Sequence, residues 1–92
     1  MDVYAQIIES IIRHQEAIIG PVAIEQAEHV PGLEVDWAQH QVSITGEPVA
    51  VVDTLVQAYK NLFGQISVEV SKEAAGSLLA RLEANALPQT LK

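Results

Sequence analysis

Aliphatic doublets recur in the first part of the chain at Ile7-Ile8, Ile11-Ile12 and Ile18-Ile19, and the same spacing returns 44 residues later at Val51-Val52, Leu55-Val56 and Leu62-Phe63. Side chains at i, i+3, i+4 and i+7 share one face of a helix, so each stretch predicts an amphipathic helix. The register holds beyond the apolar positions. Glu9 falls on Asp53, Ser10 on Thr54 and Gly20 on Gly64, after which Val22-Ala23-Ile24-Glu25 falls on Ile66-Ser67-Val68-Glu69. The chain therefore reads as one helix-glycine-helix unit used twice, over about residues 3–30 and 47–74.

In the first copy the predicted helix begins behind Asp2, whose carboxylate can accept from the free first-turn amides, and runs to about Ile19. Its stripe of Tyr4, Ile7, Ile8, Ile11, Ile12, Gln15, Ile18 and Ile19 is wider than a two-position seam, which predicts more than one packing neighbour. Gly20-Pro21 interrupts it, because proline lacks an amide hydrogen and clashes with the carbonyl four residues back. Gly20, Pro21 and Gly64 are the predicted hinges, either as kinks in continuous helices or as true turns. A second helix is expected from Pro21 to about Val30, burying Val22, Ile24, Ala27 and Val30, with Pro31-Gly32 ending it.

Between the copies the helical period gives way to alternation. Leu33, Val35 and Trp37 alternate with Glu34 and Asp36, then Val42 and Ile44 with Ser43 and Thr45, which predicts a short β-hairpin joined through Ala38 to Gln41. A lone hairpin is marginal in water, so it must lie on the helices or pair with a copy in another chain. Pro48 then fits the first turn of a new helix, with Thr45 or Gly46 near its cap and a stripe of Val49, Val52, Leu55, Val56, Tyr59, Leu62 and Phe63. Ile66 to Ser71 alternate as a strand would, yet the repeat and the helical face of Val68, Ala75, Leu78, Leu79 and Leu82 predict helix from Gln65 to about Asn85. Pro88 ends the structure, and residues 89–92 are expected to form a loose tail. The expected fold is mainly α, or α+β counting the hairpin, in a single domain over residues 1–88.

Composition narrows the function. Ninety-two residues make one domain with a small core. The chain is 49% hydrophobic but only 4% aromatic, so that core is aliphatic. A net charge of −7, with five Lys and Arg and no basic cluster, argues against nucleic acid and against an anionic membrane surface. Without cysteine there is no disulfide framework, thiolate nucleophile or zinc knuckle. No apolar run approaches 18 residues and the start carries no basic region, so neither a membrane span nor a signal peptide is expected, and the reading is cytoplasmic.

Candidate chemistry is sparse. His14, in the middle of the first helix, is the residue a phosphorelay would use, but Gln15 stands where histidine kinases carry an acid, and a solvated helix face is the better explanation. Glu25 and His29 could share a divalent cation from one helical face, but bundle metal sites draw Glu-x-x-His from two helices, and that spacing is absent. Glu9-Ser10 and Asp53-Thr54 pair an acid with a hydroxyl, and no histidine completes either. The glycines are isolated and form no phosphate cradle. No enzyme activity, metal or cofactor is expected.

The remaining feature is a surplus of apolar side chains, which predicts a homodimer with Ile8, Ile12, Trp37, Val52 and Val56 as interface candidates. Packing inside one chain is the alternative for all five. Ile18-Ile19-Gly20-Pro21-Val22-Ala23 resembles the Ile-Gly-Pro-hydrophobic-Ala segment of small helical domains attached to bacterial signalling proteins, with Leu62-Phe63-Gly64 a looser echo. The resemblance covers about forty residues and implies an accessory interaction or oligomerisation module with no catalytic residue. The functional expectation is a non-enzymatic dimerisation or adaptor module binding a protein partner. The alternatives are a small apolar-ligand binder with an aliphatic cavity between the repeats, and a phosphoacceptor acting through His14.

Overall fold

The computed structural model describes residues 3–82 and 86–91. Helix α1 (Val3–Ile19) and helix α2 (Val22–Glu28) are followed by strands β1 (Leu33–Asp36) and β2 (Gln41–Ile44), then helix α3 (Pro48–Phe63) and helix α4 (Gln65–Ala75). Short 3-10 segments cover Trp37–Gln39, Gly76–Arg81 and Gln89–Leu91. The chain is mainly helical with one antiparallel hairpin between two helix pairs, as the pattern predicts. The Asp2 cap lies outside the described residues. Helix α3 is capped by Glu47 rather than Thr45 or Gly46, its carboxylate accepting from the Ala50 amide at 2.7 Å.

Both hinges are turns. Gly20 and Gly64 have φ of +75° and +81°, positive values at which a helix stops, so each long helix ends there and a second one starts one or two residues on, at Val22 and at Gln65. Residues 66–71 are helical. The face they bury is Ser67, Val68, Ser71, Ala74 and Ala75, which has helical spacing, while Ile66, the first member of the alternation, points into water. Helix α4 is shorter than predicted, because Gly76 at φ +37° ends it and the chain continues as a 3-10 segment to Arg81. The predicted helix end at residues 83–85 lies outside the described residues.

The expected loose tail is docked as far as Leu91. The Asp53 carboxylate accepts from the amides of Gln89 and Thr90 and from the Thr90 hydroxyl, at 3.1, 2.8 and 2.7 Å, and Leu91 is buried. Lys92 lies outside the described residues.

The hairpin pairs Leu33 with Ile44 and Val35 with Val42, and these inward residues rest on α1 and α2. Its strands end before Trp37, which sits in the 3-10 turn instead of continuing β1, and His40 closes the turn at φ +51°. At the base the Gly32 carbonyl accepts from the amides of Thr45 and Gly46. Gly32 is needed twice over: its φ is +83°, and a Cβ there would lie 3.0 Å from the Gly46 Cα and 3.2 Å from Val51 Cγ2. Gly20 needs only the backbone freedom, since nothing lies within 4 Å of its Cβ position. Gly20→Ala should therefore cost about 1 kcal/mol, and Gly32→Ala about 2–4 kcal/mol because overpacking adds to the strain. Urea unfolding of the two variants should separate them, and equal losses would mean the crowding at Gly32 relaxes freely.

The core is built from repeat-related positions. Ile8 and Val52, Ile11 and Leu55, and Ile12 and Val56 are all completely buried. The next equivalent pair, Gln15 and Tyr59, is also buried, and each member needs a partner for its polar group. Gln15 Nε2 donates to the Ser67 carbonyl at 3.0 Å, and the Tyr59 hydroxyl donates to the Ala23 carbonyl at 2.7 Å. Each bond is the image of the other when the repeats are exchanged, which is the reciprocity a two-fold arrangement produces. The two halves thus embrace crosswise, α1 lying on α4 and α3 on α2. Ser10, whose hydroxyl donates to the Ala74 carbonyl at 2.7 Å, shows that α4 runs antiparallel to α1.

Candidate functional site

The crosswise packing has a geometric consequence. Gln15 near the end of α1 touches the start of α4, and Tyr59 near the end of α3 touches the start of α2. Both glycine turns therefore lie at the same end of the molecule, and the residues flanking them stand at that end. Ile18 and Val22 flank Gly20; Leu62 and Ile66 flank Gly64. They are 64%, 36%, 54% and 72% exposed, and they are the large hydrophobic side chains that stand exposed among the described residues. They are also two repeat-related pairs, Ile18 with Leu62 and Val22 with Ile66.

The two turn segments are also free of charge. Residues 17–24 and 61–68 contain no Asp, Glu, Lys, Arg or His, in a chain that is 18% charged. Aliphatic side chains surrounded by uncharged neighbours have the composition of an interface core rather than of an ordinary surface. Sequence reading missed this site because Ile18, Val22 and Leu62 continue the apolar stripes and so were expected to be buried. The signal that could have found it is the clustering of charge-free residues at both glycine turns.

The structure places four of the five predicted interface residues inside the single chain. Ile8, Ile12, Val52 and Val56 are fully buried in the core of the single chain, where each covers the other repeat, so none can reach a partner. Trp37 is half-buried on the hairpin turn. Its indole donates to Glu16 Oε1 at 3.1 Å, and its ring stacks on His40 at 4.4 Å, so it ties the hairpin to α1.

The sequence-level chemical candidates have local structural partners. His14 is exposed and its Nδ1 bonds the Ser10 carbonyl at 2.8 Å, with no carboxylate bonded to the ring among the described residues. His29 Nδ1 bonds the backbone carbonyl of Glu25 at 2.7 Å, and among the described residues no three His, Cys, Asp or Glu side chains converge. Glu9 pairs with Arg13 at 3.3 Å and lies 3.8 Å from His40, while Thr54 donates to the Ala50 carbonyl at 2.8 Å.

The space between the repeats is filled by the buried aliphatic residues. The larger surface depression, about 500 Å³, runs beside Asp53, Gln57, Asn61 and Thr90, and a second of about 380 Å³ lies between Gln6, Glu9, Arg13 and His40. Every buried side-chain nitrogen or oxygen among the described residues has a hydrogen-bond partner. No described helix is long and apolar enough to cross a membrane.

No protein-family model, curated protein or solved structure matches this chain.

Proposed function

We propose that this chain is a non-enzymatic protein-interaction module that engages its partner through the apolar end formed by Ile18, Val22, Leu62 and Ile66. One observation carries the reading: the exposed large hydrophobic side chains of the described residues gather at one end, two from each repeat. Together they leave roughly 400 Å² of aliphatic surface in water, in the range of the largest patch on an ordinary monomer, and that largest patch is often a functional one. The resemblance to bacterial signalling accessory domains rests on residues 18–23, the segment that places Ile18 and Val22 at this end. A role in bacterial signalling or assembly is the setting that follows from it.

A photo-reactive benzoyl-phenylalanine placed at position 66 in living cells of the source organism should form protein adducts. The same label at Glu34, exposed on the hairpin, should form few or none. Adding Leu62→Glu to the labelled chain should abolish the adducts. Equal labelling from both positions, or no adduct from position 66, would remove the support for this surface as the working one.

A further inference from the structure

We infer that the occupant of this end is a second copy of the chain, the two copies meeting glycine turns to glycine turns about a two-fold axis. The inference rests on the interaction reading above and names its partner. Charge is the first argument. Each copy carries −7, so most of its surface repels an identical chain, and the charge-free segments 17–24 and 61–68 give two copies a face on which they can approach without opposing like charges. A basic partner would instead be drawn to the acidic faces, since the carboxylates nearest this end, Glu25 and Glu69, stand outside the two charge-free segments, Glu69 accepting from Gln65 at 3.4 Å.

Area is the second argument. Two such ends face to face remove roughly 800 Å² of aliphatic surface from water. Ala17, Pro21, Asn61 and Gln65, all exposed and uncharged, frame the four aliphatic side chains and lie in the same contact. Their inclusion enlarges the contact toward the lower bound of about 1,000 Å² for a specific protein interface.

The third argument is the internal symmetry. An isologous dimer needs a patch that is complementary to itself, and this end is already built from two equivalent halves, Ile18 with Val22 and Leu62 with Ile66. Each half of one copy can cover a half of the other. Interfaces of this size include the weak, transient ones, so micromolar association is the expected regime, with the packing of the four aliphatic side chains rather than the area setting the value.

Sedimentation equilibrium of the full chain from about 1 to 500 μM spans that range. The wild-type mass should rise from 10.0 kDa to twice that value. Ile66→Glu should weaken association by at least about a hundredfold while keeping the wild-type circular dichroism and melt, since position 66 faces solvent. Ala38→Glu adds the same charge on the exposed hairpin turn and should leave association within about threefold of wild type. Because the chain has no cysteine, Leu62→Cys places a single thiol at the end and should give a disulfide-linked dimer on mild oxidation.

A wild-type monomer at every concentration, or an Ile66→Glu variant that dimerises undiminished, would overturn the second-copy assignment. If the wild type is monomeric but the label at position 66 captures a different protein in cells, only the identity of the occupant is wrong. If both are silent, the interaction surface itself is wrong.

Discussion

Replacing Ile12 by glutamate is expected to unfold the chain. Ile12 has no exposed surface and sits with its repeat equivalent Val56 in the middle of the crosswise core. An ionised carboxylate there would have no partner, and even a protonated one would bury polar atoms in an aliphatic pocket, at a cost of several kcal/mol. A domain of this size holds only about 5–10 kcal/mol of stability, and the lost isoleucine packing adds about 2–5 kcal/mol to the deficit. Far-UV circular dichroism at 25 °C should show loss of helix in Ile12→Glu, whereas Ile12→Val should stay folded with a loss of about 0.5–1.5 kcal/mol in urea. Ile8, Val52 and Val56 should respond to glutamate in the same way. A folded, monomeric Ile12→Glu chain with a wild-type melt would mean that the isoleucine faces outward and that the described core is misassigned.

The second large effect belongs to Tyr59. Tyr59→Ala removes a fully buried ring and should cost about 3–5 kcal/mol, whereas Tyr59→Phe removes only the hydroxyl bonded to the Ala23 carbonyl and should cost about 1 kcal/mol. Burial also pushes the phenol well above its usual value of 10.0, because the ionised form would lose its hydration. The neutral phenol is therefore favoured in the folded state. Below about pH 10 both folded and unfolded chains hold the proton, and the contribution of Tyr59 is fully present. Above that pH the unfolded chain releases the proton while the folded chain keeps it. The contribution should then fall by about 1.4 kcal/mol per pH unit.

Tyr59→Phe lacks this slope. Its urea midpoint should lie below the wild-type midpoint at pH 8, and the gap should close and reverse on the way to pH 12. Groups common to both proteins cancel in the difference. Parallel curves from pH 8 to 12 would show that the phenol of Tyr59 reaches water in the folded state.

The two-fold plan was legible because it is written in local terms. Periodic doublets give helices, alternation gives the hairpin, and the matched glycines mark where each helix stops. The partners of Gln15 and Tyr59 were less accessible. The positions are equivalent and both side chains can donate, but nothing local shows that each reaches a carbonyl in the opposite repeat. The docked C-terminal turn was hidden for the same reason. Asp53 reads as a solvent-facing acid on α3 until residues 89–90 are brought to it by a chain segment 36 residues away. The shortened α4 is different, since Gly76 favours a helix end that is visible in the sequence, while the aliphatic residues beyond it continue one helical face and predict a longer helix.

The sequence by itself determined which residues share a face, where the helices turn, and that the same unit is used twice, because periodicity and glycine freedom act within a few neighbouring residues. Only the tertiary structure decided which part of each apolar face is covered. Periodicity aligns Ile8, Ile12 and Ile18 on one broad stripe of α1, but α4 and the opposite repeat extend only far enough to cover the first two. Burial depends on where the neighbouring elements end, and that length is set by the packing of the whole chain. Coverage by neighbouring elements, not apolar sequence context, thus made Ile8 and Ile12 core and left the side chains beside the glycine turns at the surface.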